Sequence, residues 1–274
     1  MLRSGSRAAW TDTDIIADYF GSTTVIKGGD ELPSNFNFPL SDQIVRGVST
    51  GTAEGIALKM REVQQSYPQG VIDSPFLTNH DQARLATQLG NDAGKLRNAI
   101  SILLTMPGTP FLYYGEEVAL QNGPGPNDEY KRTPMPWTAE GPNYGFTTGT
   151  PWFQFAPGAA TTNVASQTGR SDSLLTRYRN LIAARKSSEA LRKGDVEVLS
   201  SNASVLAFLR TSPAERVIVV HNLSDGFTTS GNLEFAASGF EKIFADSSLS
   251  DPSGAGTRWT VNLPPRTTGI WRLR

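Results

Sequence analysis

The chain has 274 residues, 38% hydrophobic and 19% charged, with a formal net charge of −1; this length suits one large domain or two, each with a core of useful size. The near-neutral balance argues against nucleic acid as a partner, and no apolar run approaches a membrane span, so neither nucleic acid nor membrane is expected. With no cysteine there is no disulfide, thiolate catalysis or Cys-based metal site, and two histidines, His80 and His221, are too few for a multi-histidine metal centre.

Residues 1–10 lack the apolar core of a signal peptide and read as a cloning remnant or a disordered terminus. The compartment stays unassigned. Residues 12–20 carry Ile15, Ile16, Tyr19 and Phe20 at helical spacing, closed by Gly21. Gly28-Gly29-Asp30 is a turn. The alternation in 35–38 predicts a strand, 41–48 a helix, and 52–67 a stronger helix with Ile56, Met60 and Val63 on its buried face.

Residues 71–78 predict an apolar strand running into Asn79-His80-Asp81. Residues 93–106 predict a helix with Leu96, Ile100, Leu103 and Leu104 on one face, stopped by Pro107-Gly108. Residues 109–114 predict a third strand. The alternation of strand and helix from 35 to 114 argues for parallel α/β units.

From about 121 to 170 there is no sustained period. A loop of that length is functional or disordered. Its Phe146, Trp152, Phe153 and Phe155 favour ordered packing. A helix follows at 172–187, with Leu174, Leu175, Tyr178, Leu181 and Ile182 inward and Ser171 or Asp172 as its cap. From Lys193 the character changes. Short strands at 196–199, 205–210, 217–222, 239–244, 259–263 and 269–273, separated by turn residues, predict a small antiparallel β-sandwich and a domain boundary near 190.

Two of the predicted parallel strands end in polar clusters, where α/β barrels collect their functional side chains. Phe76-Leu77-Thr78-Asn79-His80-Asp81 resembles a strand-end motif of the α-amylase family, glycoside hydrolase family 13. The run from Gly108 to Glu117, Gly-x-Pro-x-x-Tyr-Tyr-Gly-x-Glu, is similar to the last barrel motif of that family. Lys131-Arg132-Thr133-Pro134-Met135-Pro136-Trp137, followed by Gly145-Phe146-Thr147, resembles the loop after it. The motif style is that of bacterial α-amylases and oligo-1,6-glucosidases.

The resemblance implies a fold of α/β plus all-β class. Residues 11–190 would form a partial (β/α)8 barrel of about the last three βα units, and residues 191–274 a C-terminal β-sandwich. It implies retaining hydrolysis of α-glucosidic bonds in starch or maltooligosaccharides, by an Asp nucleophile and a Glu acid/base. Asp81 would take the third-carboxylate role, stabilising the transition state. His80, Asn79 and Arg84 would contact substrate. No cofactor is implied. Calcium is left open for a whole family enzyme, and no site for it is legible here.

The motif Gly-Phe-Arg-x-Asp-Ala that holds the nucleophile has no match, and Ala8 stands where the acid/base Glu would fall, about two residues before Trp10. The first five strands are expected to be missing, leaving the chain inactive or weakly active alone. An opened barrel leaves strand edges and an apolar face uncovered, at a cost on the order of several kcal/mol. A homo-oligomer is therefore expected. The alternative is a non-catalytic, self-associating carbohydrate-binding or structural module.

Simpler readings stand beside these. Asn79-His80-Asp81 could be a locally bonded loop. Tyr113 and Tyr114 could simply pack, and Glu116 and Glu117 could cap a turn or pair with Arg132. His221 is expected to be structural. Trp137 and Trp152 could be sugar platforms or core. Asp12, Asp14 and Asp18 read as a solvated helix face and argue no calcium site.

Overall fold

The computed structural model describes residues 34–67, 71–199 and 201–274. The readings for residues 1–10, the helix at 12–20 with its three aspartates, and the turn at 28–30 lie outside the described residues.

The first strand, β1 (Ser34–Phe36), is shorter than the expected 35–38 because Asn37 ends it. The Asn37 side chain accepts from the Leu40 backbone N–H at 2.9 Å. It thereby caps α1 (Phe38–Thr50), which starts earlier than expected, with Pro39 in the first turn where no donor is needed. Gly51, at φ 80°, closes it. The next helix, α2 (Glu54–Ser66), packs on α1; it buries Ile56 and Met60 at the predicted spacing and leaves Val63 half-buried.

Strand β2 (Ile72–Ser74) pairs in parallel with β1, Asn35 opposite Asp73. The expected strand at 71–78 thus reduces to three ladder residues. The expected third strand at 109–114 is not a regular strand. It runs extended beside β2, with the N–H of Thr109 donating to Asp73 O at 2.8 Å and that of Phe111 to Pro75 O at 2.9 Å. Pro75 has no N–H to return to Thr109, so the parallel ladder is one-sided. Gly108, at φ 83°, makes the approach to β2: a Cβ there would lie 2.1 Å from Asp73 O.

Between these segments lie the short α3 (Leu85–Gln88), which periodicity did not reveal, and α4 (Ala93–Thr105). Asp92 caps α4 through the Lys95 N–H at 2.8 Å, and Leu96, Ile100, Leu103 and Leu104 are buried as predicted. Residues 121–170 hold only short 3₁₀ turns and α5 (Val164–Gln167). Order comes from packing. Val118, Leu120, Met135 and Ala156 form a local core, and the rings of Tyr130 and Phe153, and of Tyr144 and Phe155, meet edge to face at 5.0 Å.

The cap of α6 (Leu174–Ser187) is Ser173, whose hydroxyl accepts from the Thr176 N–H at 3.2 Å. The expected Asp172 instead pairs with Arg170 at 3.0 Å. α7 (Glu189–Lys193) follows directly. Two buried arginines fix the C-terminal end of α4. Arg185 donates to the carbonyls of Leu104, Met106 and Gly108 at 3.0, 2.8 and 2.6 Å. Arg210 donates to Thr105 O and Gly194 O, both at 2.8 Å. Burial pushes Arg185 down to about 10 and Arg210 to about 9. The negative end of the α4 dipole favours both charges and offsets part of that cost.

The remaining chain is antiparallel. A five-stranded sheet has β3 (Asp195–Val198), β4 (Val205–Thr211), β5 (Arg216–Asn222), β12 (Thr268–Leu273) and β8 (Phe240–Ala245) in that order. Alternation along its strands supplies two buried faces. Leu206, Phe208, Val217, Val219 and Ile270 join the helices in one core. Val205, Ala207, Leu209, Ile218, Val220 and Trp271 face Leu233, Phe235, Trp259, Val261 and Leu263 in a second.

That second layer carries short strands the sequence reading missed: β6 (Thr228–Thr229), β7 (Leu233–Glu234) and β9 (Ser253–Ala255). The expected strand at 259–263 is split into β10 (Arg258–Thr260) and β11 (Asn262–Leu263). These pair with different partners, β10 with β7 and β9 and β11 with β6. His221 lies wholly inside, Nδ1 2.9 Å from Thr268 Oγ1 and Nε2 3.1 Å from Thr105 Oγ1; burial pushes it down to about 3, so it is a neutral structural group.

Candidate active site

Beyond β2 the chain is buried through Phe76, Leu77 and Thr78 and then surfaces. The Ser41 hydroxyl donates to Leu77 O at 2.8 Å and pins this stretch to α1. Asn79 then shapes a turn: its side-chain oxygen accepts from the Asp81 N–H at 2.9 Å, a local bond that asparagine favours in turns. The turn presents His80 and Asp81 together. Their side chains are 60% and 37% exposed, with Nε2 of His80 3.4 Å from Oδ2 of Asp81. Of the four residues expected at a site, the structure brings Asn79, His80 and Asp81 to one accessible corner.

Arg84, the fourth, is elsewhere. It is buried, 1% exposed. Its guanidinium lies against the rings of both Tyr113 and Tyr114, 4.8 and 4.6 Å from their centroids, and donates to Tyr114 O at 2.7 Å. Burial lowers its pKa.

Glu116 is buried beneath the same corner. The Thr78 hydroxyl bonds its Oε1, while Oε2 has no partner among the described residues. Burial pushes Glu116 up to about 8, so near neutrality the carboxyl is mostly protonated. The expected pairing of Glu116 or Glu117 with Arg132 does not occur. Glu117 accepts from the Gly115 N–H at 2.8 Å, and Arg132 turns to Asp81.

That contact was not legible beforehand. Arg132 Nη2 donates to Asp81 Oδ1 at 2.9 Å and to Asp128 Oδ2 at 3.1 Å, and its Nε donates to His80 O at 3.0 Å. Lys131 Nζ donates to Asp81 O and to Asp128 Oδ1, each at 2.9 Å. The usable signal was Asp128 placed three and four residues before two cations.

Trp137 and Trp152 are 49% and 56% exposed, so neither is core. With Tyr114, Pro134, Met135 and Phe146 they line an open apolar hollow of about 380 Å³. Among the described residues no cluster of three or more carboxylates or imidazoles could hold a metal ion, and no helix is long and apolar enough to cross a membrane.

Residues 29–194 match the family described as Alpha-amylase, catalytic domain. The chain belongs to the α-amylase family of glycoside hydrolases. It is 36% identical over 221 residues to Alpha-amylase 3 of Dictyoglomus thermophilum, covering 78% of this chain and 42% of that protein. It is 31% identical over 264 residues to the trehalose synthase/amylase TreS of Mycolicibacterium smegmatis, covering 77% of this chain and 43% of that one.

Among solved structures, an α-amylase from H. orenii superposes with a TM-score of 0.78 at 31% identity, over 97% of this chain and 52% of its own. An isomaltulose synthase from a Klebsiella species, at 22% identity and a TM-score of 0.72, covering 94% of this chain and 53% of its own, shares the fold. The α-amylase family chain thus spans less than half the length of these sequence relatives and about half of these structures.

Proposed function

We propose that this chain carries the third-carboxylate side of an α-glucoside site in a retaining glycoside hydrolase. In this reading residues 11–190 hold about the last three βα units of a (β/α)8 barrel and residues 191–274 a β-sandwich. Asp81 accepts sugar hydroxyls and faces the positive charge that develops on the ring, His80 bonds the same ring, and Asn79 shapes the turn. The observation that carries it is the pairing of His80 and Asp81, side by side and accessible, at the end of the β2 segment. Starch or a maltooligosaccharide is the substrate class. The names of the relatives, α-amylase and trehalose synthase/amylase, support that class.

The 274 residues hold no match to the nucleophile motif. One carboxylate cannot serve as nucleophile and acid/base in the same site. The chain alone is therefore expected to hydrolyse little or nothing. The test is release from a chromogenic maltooligosaccharide by the purified chain and by Asp81→Asn. No turnover from either fits this reading of the isolated chain. Turnover that survives in Asp81→Asn would refute the role given to Asp81.

A second reading, a self-associating carbohydrate-binding module, is favoured by the apolar side chains left uncovered around β1, β2 and 109–114. Ile72, Phe36, Phe111 and Leu112 are 49%, 46%, 45% and 42% exposed. A pairing of copies through this face would cover them. A monomer by light scattering at micromolar concentration would remove that reading.

A further inference from the structure

We infer that Lys131 and Arg132 are positioning residues for the sugar-binding turn, acting as a clasp from the long loop onto Asn79-His80-Asp81. The inference rests on the reading of Asp81 as a sugar carboxylate and adds residues which that reading did not include. Three charge-assisted bonds reach the turn from this dipeptide: Arg132 Nε to His80 O at 3.0 Å, Arg132 Nη2 to Asp81 Oδ1 at 2.9 Å, and Lys131 Nζ to Asp81 O at 2.9 Å. Two grip the main chain and one sets the carboxylate, so together they fix where Asp81 points, not only that it is charged.

The clasp is itself anchored. The Tyr113 hydroxyl donates to Lys131 O at 3.2 Å and the Tyr114 hydroxyl to Thr133 O at 2.8 Å. The loop is thereby tied to the end of 109–114 while its side chains hold the turn beyond β2. Asp128 completes the group by accepting from both cations, at 2.9 and 3.1 Å. Two carboxylates balance two cations, and no net charge is added beside the site. Arginine is needed at 132 because its rigid fork serves His80 O, Asp81 and Asp128 at once; an ammonium in its place could not span all three.

A carboxylate displaced by about 1 Å loses most of its value to a bound ligand. The experiment titrates maltotriose against the whole chain by NMR in the wild type, Arg132→Gln and Arg132→Lys, and records the imidazole resonances of its two histidines. His80 reports the turn and His221, wholly buried, reports the fold. In Arg132→Gln the His80 resonances should move, those of His221 should stay, and maltotriose affinity should fall at least about tenfold, with part recovered in Arg132→Lys.

Unmoved His80 resonances overturn the inference whatever the chain binds. Moved resonances with unchanged maltotriose affinity overturn the positioning role. Moved resonances in a chain whose wild type binds no maltotriose overturn the proposed function and leave the clasp standing.

Discussion

The sheet from 195 to 273 and the short parallel pair from 34 to 74 differ in composition and in cover: β4 and β5 are mostly apolar, while β1 and β2 carry one apolar residue each. In the first, β4 and β5 are buried almost throughout, with one face on the helices and the other on the small strands. In the second, the face turned to the helices carries Asn35, Asp73 and Leu77, all buried, while Phe36 and Ile72 are roughly half exposed. The difference teaches that an apolar residue on a strand is not thereby a buried one. What matters is whether another layer lies within reach of each face.

Substitutions can break or sharpen this contrast. The largest effect belongs in the doubly covered sheet. Trp271, 0% exposed, packs in the second core and donates through Nε1 to Asp251 at 2.8 Å. Trp271→Ala should cost about 3–5 kcal/mol in urea unfolding. A loss under about 1 kcal/mol would show the second face to be loosely packed. Next comes the approach of 109–114 to β2. Gly108→Ala places a methyl against Asp73 O in a left-handed backbone and should cost about 2–3 kcal/mol. If it is tolerated, the extended segment is not fixed where it lies.

Glu116→Gln tests the buried floor of the candidate site. Its folded pKa of about 8 lies above the ordinary glutamate value of 4.5. Between those values the native state holds the proton more tightly, so wild-type stability falls as pH rises through this window. Glu116→Gln removes that fall. Its advantage over the wild type should grow from about pH 4.5 to about pH 8, read as the difference in Tm across that range. A constant difference would mean that Glu116 ionises as in the unfolded chain.

The smallest effect is at the open face. Phe36→Ser and Phe111→Ser should each cost monomer stability about 1–2 kcal/mol, because each ring is only about half buried. Any self-association should weaken in the same variants. A loss like that of Trp271→Ala would mean that this face is already covered.

Local chemistry made much of this legible. Pro107-Gly108 marks a helix stop, Leu96 to Leu104 mark one buried stripe, and the strands β3, β4, β5, β8 and β12 fall within a residue or so of their expected places. Each of these depends on neighbours in sequence. The split at Val261 was not legible, because pairing of β10 and β11 with different partners is decided by strands up to 35 residues away. Nor was the demotion of 109–114, which turns on a missing donor at Pro75, far back in the chain.

The same division runs through the site. The sequence by itself determined that Asn79, His80 and Asp81 share one turn, because three consecutive residues after a strand cannot be separated. Only the tertiary structure decided that Arg84 is buried against Tyr113 and Tyr114, and that Lys131 and Arg132 close on the turn. Those contacts cross 29 to 52 residues of chain. They exist because the segment 109–114 is laid beside β2, which carries the loop after it across to the end of the neighbouring segment. A side chain's partner at that distance is set by packing, and spacing in the sequence carries no record of it.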